Sequence, residues 1–142
     1  EARIGVWMFE WYWKQPGVAG VDKFVADVRK VNNGNVPTAR HWFGYASAMS
    51  FALVANQEKT LDAVKLAAAL ENFELPDDVK LQPNKVYYRK GDHQLMTSSF
   101  VGEAQSKGKD DPEDLYRVDV VVPGDKTAPA VEETGCKVQW PA

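Results

Sequence analysis

Residues suited to covalent or acid–base chemistry are sparse in this sequence. The histidines are His41 and His93, and the single cysteine is Cys136. Neither histidine stands in an HExxH or Cys/His ligand spacing, so no metal centre is expected. Asp92 and His93 are adjacent, which gives either half of an acid–base site or a turn carboxylate beside a half-exposed imidazole. The serines at 47, 50, 98, 99 and 106 lack the context of a nucleophile elbow. Gly17 and Gly20 have the wrong neighbours for a phosphate loop or a dinucleotide fingerprint. Cys136 has no obvious base nearby and no second cysteine to pair with. Catalysis and a bound cofactor are therefore not expected; an enzyme reading would rest on Asp92 and His93 alone.

The aromatic residues point instead to binding. Trp7, Phe9, Trp11, Tyr12 and Trp13 cluster at the end of a short apolar run, and Trp42, Phe43 and Tyr45 form a second group. Ligand pockets use aromatic area together with a few polar tips such as a tyrosine hydroxyl. In open α/β sheets they lie beyond the carboxyl ends of strands, where residues 11–13 would sit. Trp7, Phe9, Phe43 and Phe51 are read as core. For Trp11, Trp13, Trp42 and Tyr45 the core and ligand readings are equally open.

These residues need elements to position them. Residues 4–9 form an apolar run without helical periodicity, the pattern of a parallel strand buried on both faces. Val21, Phe24, Val25, Val28 and Val31 recur at helical spacing opposite Asp22, Lys23, Asp27, Arg29 and Lys30, and the Asn/Gly run at 32–35 ends that helix. A second helix, rich in alanine, is expected over 39–56. A third is capped by Thr60, carries Leu61, Val64, Leu66, Ala67 and Leu70, and is closed by Pro76. Strands follow at 85–89 and 95–102 around a turn at 90–92. After a solvated loop at 107–114, alternation from Tyr116 to Val122 marks a half-buried strand, and a turn at 123–126 leads into the tail.

Composition narrows the class. The 142 residues are 44% hydrophobic and 26% charged with a net charge of −3, as in an ordinary globular chain of about one domain. No apolar stretch approaches the ~20 residues of a membrane-spanning helix. The lysines and arginines are interleaved with acids, so nucleic acid is not an expected partner.

The order of features resembles a known family. The run ending in Trp11, then Pro16 and Gly17, the helix of Phe24 and Val25, then Asn35, Val36 and Pro37 come first. Gly44, Tyr45 and Ala46 follow in an alanine-rich helix, then the helix over 60–70 and the stretch from Arg89 to Gln94. Together they resemble the C-terminal portion of periplasmic solute-binding proteins of the branched-chain amino-acid type, the type I binding proteins of ABC importers. The resemblance implies an α/β fold with two Rossmann-like three-layer lobes joined by three crossovers. It also implies a small solute, an amino acid or an aromatic or other small carboxylate, bound in the cleft between lobes and passed to an inner-membrane permease. A ligand-sensing domain of the same fold is the alternative role. The position of Tyr45 commonly faces the ligand in this family, which makes Tyr45 the first expected contact, with Trp11, Trp13 and Trp42 behind it. A periplasmic location is implied, any signal peptide having been removed.

Full family members are longer. The resemblance assigns residues 4–9 to the second lobe, the helices between 18 and 70 to the first, and 115–122 to the second again. Residues 1–142 are therefore expected to be a C-terminal fragment contributing to both lobes. Such a fragment would pair with the missing part or with copies of itself.

Overall fold

A computed structural model describes residues 5–105 and 112–139. The first strand, β1 (Gly5–Phe9), leads through an irregular segment into helix α1 (Val21–Val31), then α2 (Ala39–Glu58), α3 (Ala63–Leu70) and a single turn, α4 (Asp77–Lys80). Strands β2 (Tyr87–Tyr88), β3 (Leu95–Met96), β4 (Ser99–Ala104) and β5 (Tyr116–Val122) come next. A short 3-10 turn, Gly124–Lys126, and helix α5 (Val131–Thr134) complete the chain. The larger sheet has the order β1-β4-β5 and is antiparallel throughout. The smaller one pairs β2 with β3, and Glu74 adds a bridge to Tyr87. No helix of the described residues is long and apolar enough to cross a membrane.

Local sequence accounts for the helices. In α1 the apolar stripe buries Val21 and Val25, and Asn33 and Gly34 follow the helix with φ of 51° and 84°. These left-handed positions are the ones asparagine and glycine tolerate. Val31, expected on the packed face, is instead solvent-exposed in the last position of the helix. Helix α2 buries Trp42, Ala46, Ser50 and Val54, a stripe at four-residue intervals. Its N-terminus is closed by Thr38, whose backbone N–H donates to His41 Nδ1 at 3.1 Å. Phe51 lies off that stripe and is half exposed rather than core. The cap of α3 is Asp62, not Thr60: Asp62 accepts from the Lys65 backbone at 2.9 Å, and the Thr60 hydroxyl accepts from the Asp62 backbone. The helix ends at Leu70, and Pro76 opens α4 rather than closing α3.

The core lies where α1, α2 and α4 meet the segment after β1. It contains Trp11, Val21, Val25, Trp42, Ala46, Leu75, Val79, Leu81 and Val86. The turn after α4 is its junction. Leu81, with φ of 44°, turns its carbonyl so that it accepts from Trp11 Nε1 at 2.8 Å and from Gln15 Nε2 at 3.1 Å. The next side chain, the fully buried Gln82, donates to the Glu10 carbonyl at 3.3 Å and accepts from the Ser98 backbone at 3.0 Å. The expected strand over 95–102 is therefore two strands: Ser98 gives its N–H to Gln82 rather than to a neighbouring strand.

Strand β1 departs most from expectation. It is an antiparallel strand with a neighbour on one side only among the described residues, and Val6 and Met8 are 75% and 68% exposed. Trp7, read as core, is 43% exposed. Direct pairing places Val6 and Met8 on one sheet face with Val101 and Val120, and Trp7 and Phe9 on the other with Gly102 and Phe100. The apolar run does reflect two apolar faces, but among the described residues only the Trp7/Phe9 face is packed. The loop expected at 107–114 lies outside the described residues as far as 111, and so does Ile4.

Two sites test this arrangement. Gly102 lies at the irregularity in the β4–β5 register, where an added Cβ would stand 1.8 Å from the Arg117 carbonyl oxygen. Backbone cannot yield as a side chain does, so Gly102→Ala is expected to cost at least the ~1–3 kcal/mol of ordinary overpacking, read as a lower urea midpoint. Tyr12 donates to Asp114 Oδ1 at 2.6 Å, and burial, reinforced by that carboxylate, pushes its pKa well above the usual value. The unfolded chain releases this proton near pH ~10, so the contribution is intact below that pH and is lost as pH rises toward the folded value. Tyr12→Phe is expected to lower stability by about 1 kcal/mol at neutral pH and to flatten the decline of stability above pH ~10. An unchanged alkaline slope would remove Tyr12 from this role.

Candidate binding site

Three consecutive rings leave β1 in different directions. Trp11 turns inward, 2% exposed, its indole N–H bound to Leu81 and its ring set edge-on to Phe24 at 5.6 Å and 88°. Tyr12 turns toward β5, where its hydroxyl also accepts from the Tyr116 backbone at 3.3 Å. Trp13 is half buried, with the Arg29 guanidinium 5.7 Å from its ring centre. Phe9, Tyr12 and Tyr116 then form a continuous wall, with centroid separations of 5.0 Å for Phe9–Tyr116, 5.5 Å for Phe9–Tyr12 and 5.7 Å for Tyr12–Tyr116. Trp7 extends it against Tyr116 at 6.4 Å, and Trp13 against Tyr12 at 5.9 Å.

This wall bounds a groove of about 390 Å³, whose opposite lip is residues 36–39 at the start of α2 and whose charged liner is Glu113. The volume suits a small molecule. The acidic groups around it are engaged, while the buried Trp13 Nε1 has no hydrogen-bond partner among the described residues. Glu113 pairs with Arg29 at 2.8 Å and accepts from the Val36 backbone at 3.0 Å. Asp114 receives Tyr12 and the Lys14 ammonium, the latter at 2.5 Å. These contacts tie the segment before β5 to α1 and to the exit of β1, and so fix the groove's sides relative to each other.

The remaining expected contacts lie elsewhere. Tyr45, on α2, packs on Phe24 at 5.1 Å and donates its hydroxyl to the Asp78 carbonyl at 3.0 Å. Burial, with Asp78 nearby, raises its pKa. It lines a separate groove of about 500 Å³ with Phe24, Val28 and Val31, where Lys23, and after it Lys30, hold the Asp27 carboxyl down at about 2. Trp42 is fully buried and gives its N–H to the Val79 carbonyl at 3.3 Å. Trp11 and Trp13 therefore share one groove, Tyr45 lines another, and Trp42 is core. Phe24 links them, because Trp11 and Tyr45 both pack against it.

Asp92 and His93 each have a partner of their own. Arg89 grips both Asp92 oxygens and holds that carboxyl below the usual range, while His93 Nε2 lies 3.1 Å from Glu71 Oε1. Among the described residues no group of three or more His, Cys, Asp or Glu is placed to hold a metal ion. Cys136 is an exposed free thiol. Tyr116 and Glu113 carry no local signal of a place at the site, since they lie about a hundred residues beyond Tyr12 and only the paired sheet brings them there.

Comparison with known proteins agrees with this architecture. No curated protein matches the chain. A periplasmic binding protein from Burkholderia mallei superposes with a TM-score of 0.74 at 19% identity, over 90% of this chain and 32% of its own. An ABC-type branched-chain amino acid transporter from Rhodopseudomonas palustris gives a TM-score of 0.69 at 21% identity, over 85% of this chain and 31% of its own. The chain thus spans about a third of the length of either structure. The family model for periplasmic binding proteins matches residues 3–109, from β1 through β4 and beyond. With most of its length inside that match and the corresponding fold, the chain belongs to the periplasmic binding protein family.

Proposed function

We propose that this chain is the C-terminal part of a two-lobed solute-binding protein that takes up an amino acid or a small aromatic or other carboxylate and delivers it to an ABC importer of the inner membrane. The observation that carries this reading is the ring-walled groove at the exit of β1 in a chain of a solute-binding family. Residues 1–142 would supply elements to both lobes, the rest coming from the remainder of a protein of the neighbours' length. The protein works in the periplasm and has no catalytic step.

Within this reading Trp13 meets the solute in the ring-walled groove, and Tyr45 meets it from the separate groove beside Phe24. Trp11 and Trp42 act behind them. Their buried rings and their N–H bonds to Leu81 and Val79 set the positions of the segment after β1 and of α2.

The test is calorimetry on the full-length protein with the twenty amino acids and a panel of aromatic carboxylates. One solute class is expected to bind and to raise the melting temperature, because a ligand of the native state stabilises it in proportion to log concentration above Kd. Tyr45→Ala is expected to weaken that solute about tenfold, ~1.4 kcal/mol, with only a modest fall in melting temperature. Unchanged affinity would remove Tyr45 from the site, and no binding by any panel member would overturn the reading.

A further inference from the structure

We propose that the groove beside β1 receives a flat aromatic ring of the solute and selects it over a saturated or branched group, while the ionic end of the solute lies outside this groove; this deepens the solute-binding reading and rests on it. Two observations point this way. The first is the wall itself. Phe9, Tyr12 and Tyr116 are packed ring to ring, with Tyr12 perpendicular to Tyr116 at 90°, and Trp13 continues the series. A flat ring added to such a wall gains offset-stacked or edge-to-face contact beyond its buried area, and an aliphatic group of equal size gains the area alone.

The second is the state of the polar groups. The Tyr12 hydroxyl is held between Asp114 and the Tyr116 backbone, Thr38 Oγ1 lies 3.1 Å from His41 Nδ1, and Glu113 is held by Arg29 and the Val36 backbone. A carboxylate or ammonium brought into the groove would lose water and find these partners engaged, which is costly. The Trp13 indole N–H is the one buried donor left without a partner among the described residues, too little to replace the water of an ionic group. An uncharged ring loses little. The groove is thus built for the apolar end of a solute.

The test uses the full-length protein and two matched pairs of probes, each pair sharing its ionic end: L-phenylalanine with L-leucine, and benzoate with cyclohexanecarboxylate. Titration calorimetry is expected to show the aromatic member of the binding pair at least about threefold tighter. Trp13→Ala is expected to bring that ratio toward one, and Trp13→Phe to keep it. The ratio within a pair is insensitive to general loss of stability, which melting curves monitor separately. Equal or tighter binding of the saturated member, or a ratio unchanged in Trp13→Ala, would overturn the ring assignment and leave solute binding standing. Failure of all four probes, with no binding across the amino-acid panel, would overturn both.

Discussion

The turn at Leu81 and Gln82 holds the larger sheet to the helical part of the fold. Four hydrogen bonds converge on two consecutive residues: Trp11 and Gln15 donate to the Leu81 carbonyl, and Gln82 joins the Glu10 carbonyl to the Ser98 backbone. Glu10 is where the chain leaves β1, and Ser98 is where it enters β4, so one buried amide fixes both passages. Because Gln82 is fully buried, losing it would strand a backbone donor without water. That penalty, about 1–3 kcal/mol, exceeds the net worth of the bond. The direction of each ring after β1 depends on this junction. Trp11 is drawn inward to Leu81, and the next two residues are carried toward β5 and α1.

The junction divides the rings between packing and presentation. Rings with a hydrogen-bonded N–H and almost no exposure, Trp11 and Trp42, pack in the core, Trp11 with an edge on the groove. Rings that touch one another across the sheet, from Phe9 through Tyr12 to Tyr116, line a groove. Ion pairs hold the sides of that groove: Arg29 with Glu113, which lines it, and Lys14 with Asp114. Partly exposed pairs like these contribute little to stability. Their effect here is positional, since they bring the segment before β5 to the end of β1.

The helices are legible in the sequence because their signals are local. The stripe of α1, the alanine-rich α2 and the Asn/Gly stop after Val31 each need only a few neighbouring residues. Caps are less legible. Thr60 and Asp62 are equivalent on composition, and their order along the chain makes the threonine serve the aspartate rather than the helix. The apolar run of β1 identifies a strand, but the strand is antiparallel rather than parallel, and among the described residues only one of its faces is covered. Pattern reports how apolar each face is, whereas direction and cover depend on partners far along the chain. The same limit applies to the groove. Tyr12 and Tyr116 are more than a hundred residues apart, and their meeting depends on the β1-β4-β5 pairing, which no local pattern encodes.

A solute-binding surface formed by the segment after β1 and the start of α2, and held by the Leu81–Gln82 junction, is most directly tested by backbone hydrogen exchange of the full-length protein with and without a saturating solute. The expected result is slowed exchange at residues 11–13 and 36–39, with exchange at 81–82 and 98 already slow and unchanged. Solute protection confined to other parts of the protein, with residues 11–13 and 36–39 exchanging as before, would contradict it.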